Sequence, residues 1–326
     1  MKIDFLASLP HFADHLAPVW HALTPDERGA FHCPPSLRAT MKRHGIAPQV
    51  TSGRLEPTPN PVVVASSHDM ERARGARRPV IFMEHGAGQS YVGVTSTSYI
   101  GSTDRRGCLA VLVPSEAAAE RQRAATPDIP VHVVGCPKLD GWIDTTTGND
   151  HPIPAFTHHW DCKVVPETRS GWPVYRDTYP AVAARWPDAI MHAHPRTFER
   201  QRHTLNRSKM RVVDTFAEVL ASADLLVADN TSAIFEFAAT GRPVVLLDLP
   251  WYRHDVHHGG RFWEWADIGY RCGRPQDLIS TIEAALADPP PVAASRREIV
   301  GMVYAHLGEA TPRTVEVIRS ITQGAT

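Results

Sequence analysis

The sequence predicts an α/β protein of two doubly wound, Rossmann-like domains facing each other across a cleft, and three observations carry that expectation. Short runs of Val, Ile and Leu recur without apolar–polar alternation, which marks strands buried on both faces in a parallel sheet. Helical patterns separate these runs along almost the whole chain. The length of 326 residues is long for one compact core and suits two domains of roughly 150 residues each.

In the first half, Ile3–Leu6 reads as a strand, followed by an amphipathic helix over 11–23 and a helical stretch over 37–43. "PVVVASS" at 61–67 and "RPVIFMEHG" at 78–86 read as buried strands, the latter ending in a glycine turn. "CLAVLVPS" leads into a helix over 115–123 with Ser115 as its N-cap, and "VHVVGCP" at 131–137 is one more strand. The stretch 144–154, "DTTTGNDHPIP", is polar and rich in turn formers, as expected of a linker. Strands then follow over 153–157, 189–193, 211–213, 224–228 and 243–248, with helices over 216–221, 232–240, 275–287 and 296–321. The expected boundaries are residues 1–148 for an N-terminal acceptor domain and 149–326 for a C-terminal nucleotide-donor domain, with the last helix crossing back.

Composition narrows the class. With 43% hydrophobic and 21% charged residues the chain is an ordinary globular protein, and a net charge of -1 supplies no global basic field for nucleic acid. The 5 cysteines are odd in number, scattered and without a C-x-x-C pair, which favours reduced thiols in a cytoplasm over disulfides or a zinc site. "MKIDFLASLPHFADHL" carries charge at Asp4 and breaks at Pro10, unlike a signal peptide, and no apolar run is long enough to span a membrane. A cytoplasmic protein with no membrane span is expected.

Three motifs fall at strand carboxyl ends, where open parallel sheets bind ligands. In "ADLLVADNTSAIFEFAATGRPVV", residues 223–245, a buried strand runs into Asp229, Asn230, Thr231 and Ser232 before a helix begins. Free backbone N–H groups and two hydroxyls at a helix start suit a phosphate, and Glu236, one turn on, suits a ribose diol. The plainer reading is that Thr231 caps the helix and Glu236 is solvated. In "EHGAG" the turn at Gly86 presents His85, whose ordinary pKa of about 6.5 lets an imidazole take a proton from a hydroxyl. Glu84 either orients that ring or is exposed, and a His satisfied by turn backbone is the plainer reading. In "MHAHPRT", His194 and Arg196 suit a diphosphate, with loop decoration as the alternative.

Together "EHGAG", "VGCPKLD", "HAHPR" and "VADNTSAIFEFAATGRPVV" resemble the motifs of the CDP-glycerol glycerophosphotransferases, the teichoic-acid polymerase type, over residues 80 to 250. The resemblance implies the GT-B fold, His85 as general base, His194, Thr231 and Ser232 on the donor phosphates, and Glu236 toward the ribose. This chain departs from the pattern in having Ala87 where the family has threonine and His192 where it has lysine. "THHW" also places His158 and His159 before Trp160, and the family's membrane-associating N-terminal region is not expected here.

These readings converge on a metal-independent transferase that moves a glycerophosphate or glycosyl group from a CDP-glycerol-like or UDP-sugar-like donor to an acceptor hydroxyl. The donor is a substrate and no cofactor is expected. The catalytic candidates are His85 and His194, the donor contacts Asp229, Asn230, Thr231, Ser232, Glu236 and Arg196, and the acceptor side Glu84, Gly86, His159 and Trp160. A non-hydrolysing UDP-sugar epimerase is the rival enzyme; it needs cleft carboxylates, for which Glu84 and Glu167 are the candidates. A non-catalytic binding protein on the same fold is the other alternative. The basic run "ERARGARR" at 71–78 keeps an anionic polymer acceptor, or nucleic acid, open as a partner. His254, Asp255, His257 and His258 invite a metal, but loop histidines are usually unliganded and none is expected.

Overall fold

A computed structural model describes residues 1–51, 55–87, 103–194, 205–255 and 262–323. The chain divides into two units: the first runs up to Gly141 and includes the C-terminal segment from Met302, and the second runs from Trp142 to Gly301.

The first unit holds β1 (Ile3–Leu6), β2 (Arg28–Cys33), β3 (Gln49–Val50), β4 (Val62–Val64), β5 (Val80–Met83), β6 (Ala110–Val113) and β7 (Val131–Val133). They form one parallel sheet in the order β3-β2-β1-β4-β5-β6-β7. Every residue of β1, β4, β5 and β6 is buried, as the unalternating apolar runs require. The sequence pattern missed β2, "RGAFHC", because it has no such run. It is drawn in by tertiary contact: a Cβ on Gly29 would lie 2.7 Å from the Ile3 carbonyl oxygen, and the Ala30 N–H donates to Asp4 Oδ1 at 2.8 Å. Burial pushes the Asp4 carboxyl up, but hydrogen bonds from His32, Arg78 and Ala30 outweigh it and hold the group below its ordinary range.

The helices α1 (Pro10–Ala22), α2 (Arg38–Arg43), α3 (Ser67–Gly75) and α4 (Glu116–Ala125) belong to this unit. Ser115 caps α4 as expected, accepting from the Ala118 N–H at 3.3 Å, and Ser66 caps α3 in the same way. The basic run at 71–78 is partly turned inward by α3 and its closing turn, with Arg77 left exposed. Arg78 is buried on Asp4 at 2.6 Å, Arg74 donates to the Arg106 carbonyl, and Arg72 lies 3.7 Å from Asp69. The stretch therefore serves as internal ties more than as a solvated basic face.

The second unit holds β8 (Pro154–His158), β9 (Ile190–Ala193), β10 (Arg211–Val213), β11 (Leu225–Ala228), β12 (Val244–Leu247) and β13 (Tyr270–Cys272). These are also all parallel, in the order β10-β9-β8-β11-β12-β13. Counted from its own first strand this is the order 3-2-1-4-5-6 of a dinucleotide-binding sheet, whose switch point lies between β8 and β11. The unit's helices are α5 (Trp172–Tyr175), α6 (Tyr179–Arg185), α7 (Phe216–Ser222), α8 (Ala233–Ala238) and α9 (Leu278–Leu286), followed along the chain by α10 (Pro290–Val303) and α11 (Ala310–Gln323). The single helix expected over 296–321 is thus two, because His306 (φ 52) and Gly308 (φ 80) take left-handed backbone that an α-helix cannot continue.

The expected linker at 144–154 is not slack. The Asp144 N–H donates to the Ala239 carbonyl, Asn149 Nδ2 and the Ile153 N–H donate to Asp224 Oδ2 at 2.8 and 2.9 Å, and Thr147 donates to Asp224 Oδ1. One partly buried carboxylate, Asp224, ties the polar stretch to the second unit.

Candidate functional site

In the first unit, β5 ends at Met83 and delivers Glu84 and His85 into a turn whose Gly86 has φ 64. Glu84 is neither exposed nor a partner of the neighbouring ring in any bond described. It is 8% exposed and its Oε1 accepts from Arg105 Nη2 at 3.2 Å. Burial pushes the Glu84 carboxyl up from its ordinary range, against the opposing pull of Arg105. Arg105 is itself fully buried, donates to Ser67 Oγ at 2.8 Å and lies 3.5 Å from the centre of the Phe82 ring.

His85 is half-buried and meets side chains from the first turns of α1. The Phe12 ring is edge-on at 4.8 Å, and the imidazoles of His11 and His15 lie 5.9 and 6.1 Å away between centroids. His15 is buried, with Cys136 Sγ 3.6 Å from its Nδ1. Burial, with Lys138 and His85 adding to it, holds the His15 imidazole well below its ordinary range, in the neutral form. The sequence reading missed His11 and His15. The available signal was their four-residue spacing in "PHFADHL", directly after a strand, which puts both on one helix face at a sheet's carboxyl edge.

In the second unit, the switch point assembles residues from three strand ends. Register pairs Thr157 with Ala228 and His158 with Ala193, so the residues that follow emerge together. His159 and Trp160 stack at 5.7 Å, and His194 lies 6.4 Å from each ring.

The polar elbow after β11 divides into two pairs. Asp229 and Asn230 are fully buried. Asp229 Oδ1 accepts from the His159 N–H and Oδ2 from the Gly171 N–H, each at 2.7 Å, and His158 Nδ1 lies 3.3 Å from Oδ2. The carboxylate thereby fastens both ends of the 159–171 loop. Asn230 Nδ2 donates to the Glu167 carbonyl at 2.8 Å, and its N–H to the Tyr252 hydroxyl at 3.2 Å. Thr231 and Ser232, by contrast, are half-exposed. The helix that follows is short, and Ser232, at its N-cap, makes no side-chain capping bond, whereas Thr231 Oγ1 makes a long one of 3.5 Å to the Ala233 N–H. Glu236 is 5% exposed, which overturns the solvated reading of that residue.

The other candidates resolve individually. Glu167 is 1% exposed and receives both Nε and Nη2 of Arg253, at 2.5 and 2.8 Å. His192 bonds Thr157 Oγ1 at 2.9 Å through Nδ1 inside the sheet. His254 bonds Asp248 at 2.7 Å, while Arg196, His257 and His258 lie outside the described residues. Among the described residues no three or more His, Cys, Asp or Glu are grouped to hold a metal, and no helix is long and apolar enough to cross a membrane.

Two parallel-sheet Rossmann-like domains in series define the class: this is a GT-B-like fold. Solved structures agree. The Methanocaldococcus jannaschii UDP-GlcNAc 2-epimerase in complex with UDP-GlcNAc and UDP is similar with a TM-score of 0.66 and 14% identity, covering 98% of this chain and 100% of that one. The Neisseria meningitidis UDP-GlcNAc 2-epimerase bound to UDP-GlcNAc gives 0.64 and 13% over 98% and 100% of the two chains. Anabaena HepE in complex with UDP-glucose gives 0.57 and 14% over 99% and 100%. At these identities the likeness is one of fold. No protein-family model and no curated protein matches the chain. The comparisons thus show the GT-B-like fold, and they do not show the glycerophosphotransferase family that the motifs resemble.

Proposed function

We propose that this chain is a nucleotide-sugar enzyme that binds a UDP-sugar and inverts the sugar at a ring carbon, as a 2-epimerase does. The observation behind this reading is the match, over nearly the whole chain, to epimerase structures bound to UDP-GlcNAc. The switch-point elbow supports the nucleotide part. Asp229 and Asn230 hold the scaffold, with the Thr231 N–H turned back onto the Asp229 carbonyl at 2.7 Å. The hydroxyls of Thr231 and Ser232, with the Ser232 N–H, take the diphosphate, and Glu236 lies toward the ribose. Inversion at a carbon that carries hydrogen needs a group to remove the proton from one face and another to return it to the opposite face. An imidazole is a side chain of the kind that moves such protons, and the rings of His159 and His194 stand 6.4 Å apart at the same strand ends as the elbow.

One observation favours a second reading, transfer to an acceptor hydroxyl with His85 as base. Both carboxylates that epimerisation would call on, Glu84 and Glu167, are tied to arginines.

Proton NMR of the protein with UDP-GlcNAc in deuterated water separates the two. Epimerisation gives the C2 epimer with deuterium at C2 and no net UDP. Transfer gives UDP, or CMP from CDP-glycerol, only when an acceptor is added. Neither product, with UDP still bound, would remove both. In the active case His85→Ala is expected to lose about 10²–10⁴ in turnover while keeping UDP affinity. Ser232→Ala is expected to weaken UDP binding by roughly ten- to a hundredfold.

A further inference from the structure

The second unit contains a cavity of about 360 Å³ that none of the residues assigned above lines; its walls are Lys163, Val164, Val165, Pro166, Arg169 and Trp251. We propose that this cavity binds a single sugar ring carrying one anionic group, a phosphate or a carboxylate.

Size sets the first limit. Small-molecule pockets run from about 300 to 1,000 Å³, so this one takes a ring and one substituent and not an entire nucleotide sugar. The walls set the second. An indole, a proline and two valines give an apolar flank against which the C–H face of a sugar ring packs. Val164 is 52% exposed, so the flank opens to water and the ring's outer hydroxyls stay hydrated.

Charge sets the third limit. Lys163 is exposed, and its charge acts on Asp161 without an ion pair or hydrogen bond among the described residues. Arg169 holds Asp161 through Nε at 2.6 Å, with a second, longer contact from Nη2 at 3.5 Å, and its Nη1 donors remain available. Two cations facing one carboxylate leave a net positive rim, suited to one anionic group.

The cavity is also held open by its own scaffold. Asp229 fastens both ends of the loop, Thr168 Oγ1 bonds the Cys162 and Val165 carbonyls, and the Tyr252 hydroxyl, next to Trp251, donates to the Arg169 carbonyl at 3.4 Å. Little ordering is left for a ligand to impose.

The proposal does not depend on the nucleotide reading, and its test keeps the two apart. Glucose 6-phosphate, glucuronate, glucose, inorganic phosphate and benzoate are titrated calorimetrically into the full-length parent, Lys163→Ala and Trp251→Phe, with UDP titrated in parallel. The expected result is binding of glucose 6-phosphate or glucuronate, at least tenfold tighter than glucose, phosphate or benzoate. Lys163→Ala should weaken that binding about tenfold and Trp251→Phe should weaken it less, with UDP affinity unchanged in both. No binding of either anionic sugar, equal binding by parent and Lys163→Ala, or benzoate bound as tightly as the sugars would overturn the proposal. Loss of UDP binding alone would leave it standing.

Discussion

Asp229 shows how a residue that invites a ligand role can be taken up by the scaffold. It follows a buried strand in a polar elbow, yet both its oxygens accept loop N–H groups and the residue is fully buried. Asp229→Ala leaves the buried Gly171 N–H and the partly buried His159 N–H unsatisfied, so a loss of about 1–3 kcal/mol for the first and less for the second is expected in urea unfolding. A change under 1 kcal/mol would show that the loop does not need its clamp. His15 makes a pH-dependent prediction. Its folded imidazole is held well below the ordinary value of 6.5 by burial. Below that pH the unfolded chain takes up a proton that the folded chain does not. The contribution is therefore intact above pH 6.5 and is lost as pH falls, by up to about 1.4 kcal/mol per pH unit. His15→Gln should flatten the stability slope between pH 6.5 and 5.5, and an unchanged slope would remove His15 as its source.

At the scale of elements, the turn after β7 ties two distant parts of the first unit together. Gly135 has φ +82, and a Cβ there would lie 2.2 Å from the Ala305 carbonyl oxygen and 2.9 Å from Ala310 Cβ. The Asp140 carboxylate then accepts from the Ala310 and Thr311 N–H groups, at 3.0 and 2.6 Å, at the start of α11. Gly135→Ala combines left-handed strain with a backbone clash and is expected to cost about 3 kcal/mol or more, visible as a lowered urea midpoint with α11 losing amide protection. Tolerance of alanine at the parent's stability would contradict this packing. The same turn explains why "VGCPKLD" stands out in the sequence: its glycine and proline answer to a tertiary constraint.

At the scale of the whole molecule, each unit has its own parallel sheet and the proposed nucleotide contacts fall in the second. Saturating UDP, at a hundredfold over its Kd, should add about 2.7 kcal/mol to the stability of the unit that binds it. Hydrogen exchange should then slow at 225–241 and across the clamped 159–171 loop, with β1–β7 little affected. Protection confined to the first unit would move the nucleotide site there.

Residues that make local sense on their own were legible in the sequence. Apolar runs gave β1, β8, β11 and β12 to within a residue and placed β4, β5 and β6 inside longer stretches, the Ser115 cap was right, and strand-end positions singled out His85, His194 and the elbow. Burial on both faces leaves such strands little choice but a covered parallel sheet, so the class followed. What the sequence could not supply was any feature set by a partner far along the chain. β2 depends on Asp4 and the backbone of β1, the basic run at 71–78 is absorbed by Asp4, Asp69 and the Arg106 carbonyl, and Glu84 is governed by Arg105. Only the tertiary structure decides whether a polar side chain at a strand end faces a ligand or a buried N–H, because that depends on which desolvated group most needs a hydrogen bond. At Asp229 it is the loop backbone, and at Thr231 and Ser232 the hydroxyls stay accessible.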